Sequence, residues 1–227
     1  MTQTDMDDLA RKVRVAARAL GRHGLAHAYG HCSARIDAER FLVCPPQPMG
    51  LVERGEACTV VPVSGPLPDG VLGEVRIHQE IYLNRPTVGG VARFMSPKMM
   101  ALAALGRSPK ARHGFGAYFA PEPPLWDDPQ LVRDDGKAKG VFAAMGDARA
   151  VLMRGNGAVT AGDTLEEAIV LAWYLEDACR VELEALAAGL ADAPPTFSAE
   201  GAKERATKAG RIFERMWDFL TAGDPEL

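Results

Sequence analysis

Cysteine is scarce in this chain: four in 227 residues, at Cys32, Cys44, Cys58 and Cys179, with no C-x-x-C pair among them. No leader peptide is recognisable, so the four are expected as buried free thiols in a reducing cytoplasm. No basic run offsets the net charge of −4, which argues against a nucleic-acid partner. No apolar run approaches the length of a membrane span, so no membrane partner is expected either. Internal repeats and low-complexity tracts are absent. What remains is a chain of ordinary composition, long enough for one domain with a sizeable core.

Residues 5–24 have the spacing of an amphipathic helix, with Leu9, Val13, Ala16, Ala17 and Leu20 on one face and acidic residues in the first turn. Residues 28–35, Ala-Tyr-Gly-His-Cys-Ser-Ala-Arg, read as a turn into a strand, with His31 and Ser33 on one face and Cys32 on the other. Strands are predicted at 41–44, 59–63, 150–153 and 158–161, and helices at 73–85, 134–145, 164–189 and 199–221. A capping box is expected at Thr164 and Glu167. Several strands are joined by turns too short for crossover helices, which predicts a mixed, largely antiparallel sheet covered by helices. Residues 111–126 form an irregular stretch holding His113, Phe115, Tyr118, Phe119 and Trp126. It is expected as a binding wall or a subunit contact.

The stretch from Gly89 to Pro97 reads as a buried strand running straight into a helix, with Ser96 as N-cap and Pro97 as first helical residue. Val91, Arg93 and Met95 share one face of that strand. An arginine at the end of a buried strand is either a structural cation paired with a carboxylate or an anion-binding group, and the residues alone leave both open. Glu74 and His78 are four apart and share a helical face.

Taken together these segments resemble the class II aldolase/adducin family over roughly residues 8–189. The resemblance rests on Tyr29-Gly30-His31-Cys32-Ser33-Ala34-Arg35, on Glu74-x-x-x-His78-x-x-Ile81-Tyr82-x-x-Arg85-Pro86, on the Ser96-Pro97 helix start, and on Leu152-Met153-Arg154-Gly155-Asn156-Gly157. The His31 form of the first loop looks most like the branch containing decarboxylases of hydroxylated aromatic acids. The resemblance implies a single three-layer α/β/α domain at 1–190, followed by a C-terminal linker and helix at 191–227. It also implies a homotetramer with its active site between subunits.

In typical members a His-x-His pair and a third His in a turn hold a divalent metal, usually zinc, beside a Glu that moves the proton. Here Arg93, Met95 and Asn156 stand at those three positions, so the inherited zinc site is expected to be absent and no cofactor is expected. Iron, or a site rebuilt from Glu74, His78, His31 and His113, is the alternative. The resemblance makes Glu74, Arg93 and His31 the candidate catalytic residues. The candidate substrate-binding residues are Ser33, Arg35, Ser96, His113, Tyr118 and Asn156. His78 is read as structural. The expected activity is a metal-independent carbon–carbon lyase, retro-aldol or decarboxylating, on a small hydroxylated acid. An oxygenase of aromatic natural-product biosynthesis and a non-catalytic adducin-like scaffold are the alternatives.

Overall fold

Thr2 caps the first helix of this computed structural model, which describes residues 2–190, 192 and 195–227. Its hydroxyl accepts from the Asp5 amide, and the Asp5 carboxylate accepts from the Thr2 amide, a reciprocal box closing two otherwise unpaired donors. Helix α1 (Gln3–Arg22) buries Val13, Ala16, Ala17 and Leu20 against the sheet.

Seven strands follow among the described residues: β1 (His31–Arg35), β2 (Arg40–Val43), β3 (Thr59–Pro62), β4 (Gly90–Phe94), β5 (Leu125–Trp126), β6 (Ala150–Met153) and β7 (Gly157–Gly162). They lie in the order β3-β2-β1-β4-β7-β6-β5, antiparallel throughout except for the β5–β6 pair. The sheet is therefore mixed and largely antiparallel, as its turn lengths predict. The two-residue strand β5 lies inside the stretch expected to be irregular, and it forms because residues 124–126 pair with β6 and its following turn.

Period-two alternation divides the strands between two cores. Cys32, Ala34, Ala92 and Phe94 face one side, under α1, α3 (Pro97–Ala104), α5 (Leu165–Ala187) and α7 (Ile212–Thr221). Phe41, Val91, Val151 and Val159 face the other, under α2 (Arg76–Asn84) and α4 (Asp135–Met145). The result is an α/β/α sandwich. Each fully buried Leu, Ile or Phe contributes about 2 kcal/mol by leaving water.

Three local expectations are corrected. The helix expected at 73–85 begins as a 3-10 turn over Gly73–Val75, so Glu74 sits on that turn rather than on α2. The single helix expected at 199–221 is two, α6 (Ala199–Arg205) and α7. Gly210 at φ +72° and Arg211 at φ +56° interrupt it and turn Phe213 and Leu220 into the core. Thr164 does cap α5 by accepting from the Glu167 amide, but the Glu167 carboxylate reaches the Asp163 amide, Arg149 and Lys208 instead of closing the box. Pro194, expected in the linker, lies outside the described residues.

Residues 224–227 fold back on α1. Arg14, Arg18 and Arg22 recur every four residues and so form one stripe on that helix. Arg18 donates to both carboxylate oxygens of Asp224, at 2.8 and 2.7 Å, and to Glu226 at 2.7 Å. Arg14 grips Glu226 at 2.6 Å and Arg22 reaches Asp224 at 2.7 Å.

Candidate active site

Antiparallel register sets His31 of β1 directly opposite Arg93 of β4, and both point to the α2 side of the sheet. Gly30, at φ +155°, makes the approach to β1; a side chain there would meet the Met49 sulfur at 2.8 Å. The turn after β6 brings Asn156 to the same place. It closes through Gly157 at φ +93°, where a Cβ would lie 2.3 Å from the Phe94 carbonyl, so glycine is required.

These elements, with the 3-10 turn carrying Glu74, enclose a cavity of about 640 Å³. Its polar lining is His31, Gln47, Glu74, Arg93, Arg133 and Asn156, and Tyr29, Leu72 and Leu131 supply exposed apolar rim. Two guanidiniums against one carboxylate leave this space net positive. That suits a small anionic, partly apolar molecule.

Arg93 is 2% exposed. Its Nη2 donates to the Asn156 carbonyl at 3.1 Å and to Asn156 Oδ1 at 3.0 Å, and lies 3.0 Å from a Glu74 oxygen. Burial pulls the guanidinium below its ordinary pKa and the nearby Glu74 charge opposes the shift. Arg93 Nε and His31 Nε2 are buried with no hydrogen-bond partner among the described residues. One is a donor and the other is a ring nitrogen, and both belong to residues lining the cavity.

Behind His31 runs a buried polar chain. His31 Nδ1 meets His78 Nε2 at 2.8 Å, and His78 Nδ1 meets the Ser33 hydroxyl at 2.6 Å. That hydroxyl lies 2.9 Å from the Tyr82 hydroxyl, which donates to the Ser33 carbonyl at 2.9 Å. Burial, reinforced by the Arg93 charge, holds the His78 pKa at about 3. Burial first, then His78 and Arg93, hold His31 well below its ordinary value. Both imidazoles are therefore neutral at physiological pH.

Of the residues singled out from sequence, Glu74, Arg93, His31 and Asn156 come together around the cavity. Ser33 stands one layer behind, bonded to His78 and Tyr82. The other four do not reach it. Arg35 donates to the carbonyls of Val88, Tyr82 and Arg85, around the end of α2, where the Tyr82 carbonyl has lost its helical partner to Pro86. Ser96 occupies the N-cap position of α3, but its hydroxyl donates to Glu176. The Glu176 carboxylate in turn accepts the amides of Lys98 and Met99, so a residue of α5 performs the capping.

His113 bonds to Asp177 through Nε2 at 2.8 Å and accepts from the Gly116 amide. The Tyr118 hydroxyl donates to the Thr207 carbonyl at 2.7 Å. The aromatic residues of this stretch thus do not face the cavity: Phe115 stacks on Tyr174 with ring centroids 4.4 Å apart, and Tyr118 packs edge-on against Phe213. Cys32 is turned away from His31, its thiol reaching the Val13 carbonyl, as alternation requires. All four thiols are free, although Cys58 is only partly buried.

His78, read from the sequence as structural, and Tyr82, given no role there, are the residues that the structure links to His31. Their signal was the spacing Glu74-His78-Tyr82, a polar stripe along one face of α2 and its leading turn. Among the described residues, no three His, Cys, Asp or Glu side chains form a cluster able to hold a metal ion.

A three-layer sandwich with this site between the ends of β1, β4 and β7 defines a class. The sequence profile of the Class II Aldolase and Adducin N-terminal domain matches residues 11–183, and the chain belongs to that family. It is 31% identical over 214 residues to a 3,4-dihydroxyphthalate decarboxylase of Arthrobacter keyseri, covering 83% of this chain and 84% of that protein. A 3,4-dihydroxyphthalate decarboxylase of a Terrabacter species is 31% identical over 197 residues, covering 78% and 81%. An L-fuculose 1-phosphate aldolase structure from Glaciozyma antarctica superposes with a TM-score of 0.78. It covers 96% of this chain and 88% of the aldolase at 21% identity, which speaks to the fold alone.

Proposed function

We propose that the chain is a decarboxylating carbon–carbon lyase that acts on a small hydroxylated aromatic acid without the family's zinc. The observation that carries this reading is the pair of partnerless buried groups, Arg93 Nε and His31 Nε2, on two residues that line a net positive cavity. A phenolic acid supplies both a hydroxyl and an anion to satisfy them. Where the family resemblance expects three imidazoles stand a guanidinium, a thioether and a carboxamide. The guanidinium, fixed between Asn156 and Glu74, is itself the cation at that point, so this donor set does not fit a divalent ion.

In this reading a ring hydroxyl gives its proton to His31 Nε2, and Arg93 stabilises the oxyanion. The electron density that this releases lets the carboxyl-bearing carbon take a proton, carried from cavity water by Glu74. The ring–carboxyl bond then breaks, its electron pair returns to the ring, carbon dioxide leaves, and His31 returns the hydroxyl proton. One proton is consumed and one carbon dioxide is released for each molecule. An open polar cavity is also what a plugged, non-catalytic scaffold would lack.

The test offers 3,4-dihydroxyphthalate and a panel of hydroxybenzoates to protein purified without added metal. Carbon dioxide release and bound zinc are measured on the same sample. Release from at least one of these acids is expected, with zinc far below one per chain and no loss of rate on chelation. An activity that requires one tightly held zinc per chain, lost when Asn156 or Met95 is changed, would defeat the reading.

We also read the chain as a homo-oligomer, most simply a tetramer, in line with the family's habit of building its site between subunits. The support expected from sequence, an exposed patch at residues 118–126, is withdrawn: Tyr118 and Phe119 are buried within the chain itself. The remaining support is the exposed apolar rim of the cavity, where Tyr29 is 70% and Leu131 47% exposed. Light scattering at micromolar concentration should return a multiple of 24.4 kDa; a monomer would contradict it.

A further inference from the structure

The buried chain behind His31 has four contacts and four protons. Tyr82, Ser33, His78 and His31, when the imidazoles are neutral, each bring one proton to it. The contacts are Tyr82 hydroxyl to Ser33 carbonyl, Ser33 hydroxyl to Tyr82 hydroxyl, Ser33 hydroxyl to His78 Nδ1, and His78 Nε2 to His31 Nδ1. A carbonyl can only accept, so the Tyr82 proton goes there. The Tyr82 oxygen must then accept from Ser33, and the Ser33 oxygen must accept from His78 Nδ1–H. His78 Nε2 is left as an acceptor, and His31 must donate to it from Nδ1. All four protons are used, and His31 Nε2 carries a bare lone pair.

The opposite direction would ask the one Tyr82 proton to serve two acceptors at 2.9 Å each. None of the four side chains is more than 2% exposed, so solvent offers no replacement partner.

We infer that Tyr82, Ser33 and His78 are positioning residues that fix the resting tautomer of His31, so that its Nε2 starts each cycle as a proton acceptor and donates only the proton it has taken from the substrate. This rests on the reading of His31 as the group that takes the substrate proton. It adds the buried residues that determine in which direction His31 can act. His31 Nε2 is itself buried, partnerless and on a residue lining the cavity.

The same count specifies what happens when the chain is cut at its far end. Tyr82 does not line the cavity, so Tyr82→Phe touches no substrate. The substitution removes one proton and two contacts. Without the Tyr82 oxygen the Ser33 proton has only His78 Nδ1 left to bond within this chain, and taking that bond makes His78 donate from Nε2 and turns His31 to the Nε2–H form.

The experiment uses the intact protein with histidine labelled by nitrogen-15, the His31 signals being assigned by their loss in His31→Gln. At pH 7 the unliganded wild type should show His31 neutral and protonated at Nδ1. Tyr82→Phe should move that proton to Nε2. With 3,4-dihydroxyphthalate, or whichever hydroxybenzoate the wild type turns over, it should lower kcat about 100-fold, the lower range for loss of a general base, with KM little changed.

A wild-type His31 that is protonated at Nε2, or doubly protonated, overturns the inference. So does a Tyr82→Phe protein whose tautomer moves while kcat stays normal. If Tyr82→Phe does not fold, the wild-type spectrum still decides. That spectrum needs no substrate, so a failed lyase assay beside an Nδ1–H His31 rejects the proposed reaction and leaves the tautomer assignment standing.

Discussion

Arg93→Ala is expected to lower kcat about 100- to 1000-fold, the range seen when a preorganised charge-stabilising group is deleted from an active site. Arg93 contributes a fixed positive charge, itself 2% exposed and held on one side by Asn156. Arg93→Lys keeps the charge but loses the planar fork, and should fall between the two.

The variant is also expected to melt lower, because Glu74 loses its counter-charge at 3.0 Å. Glu74 is 16% exposed and beside the cavity, so solvent recovers part of the cost. A loss of about 2 kcal/mol is expected rather than the full penalty of breaking a buried pair. Steady-state kinetics and a thermal melt on one Arg93→Ala sample separate the roles. Normal turnover in a protein that melts far lower would make Arg93 an internal plug and move the chemistry elsewhere.

The second large effect lies far from the cavity. Arg18→Ala leaves Asp224, whose side chain is fully buried, with Arg22 as its one counter-charge among the described residues, and it weakens the hold on Glu226. A loss of 3–5 kcal/mol at pH 7, read by denaturant unfolding, follows from removing one partner of a buried pair. A midpoint unchanged from wild type would show that the stripe of arginines is ornamental.

The same contacts set an acid limit. Arg14 above all, and Arg18, hold the Glu226 pKa at about 2 against an ordinary 4.5. Asp224 is also below its ordinary value, burial being outweighed by Arg18 and by the Glu226 amide. A carboxylate whose pKa is depressed on folding contributes fully above its unfolded value and loses that contribution as pH falls through the folded one. Stability should therefore drop between about pH 4.5 and pH 2. The Glu226 share is about 1–2 kcal/mol once screening near the surface is allowed for. Glu226→Gln should flatten that part of the pH profile.

The mixed, largely antiparallel character of the sheet and the run from β4 into α3 were legible because they depend on short-range signals, namely alternation, caps, prolines and turn lengths. The three layers came with the family resemblance, and the strand order, which depends on long-range pairing, was not read at all. The gathering of Glu74, His31, Arg93 and Asn156 was legible through the family resemblance alone, since nothing local links β1, β4 and the 154–157 turn. What failed to show were contacts determined by distant packing. Glu176 caps α3 from 77 to 80 residues away, and no local pattern at Ser96 announces it. The aromatic stretch 111–126 was read as a binding wall or a subunit contact because the partners of Phe115 and Tyr118, Tyr174 and Phe213, are brought to them only by the docking of α5 and α7. His78 was read as structural because its meaning depends on which nitrogen faces which neighbour, a property of register rather than of sequence spacing.

At Gly157 the turn meets β4 backbone to backbone, with no room for a side chain between the turn and the Phe94 carbonyl. Asn156 is thereby carried on the same stiff piece of chain as Arg93, one residue from that contact on either side. The oxygens that aim the guanidinium are oriented when the chain folds, before any ligand arrives. If the proposed reaction holds, the reorganisation that water would require around a newly formed anion is already complete, and folding of this corner is what readies it.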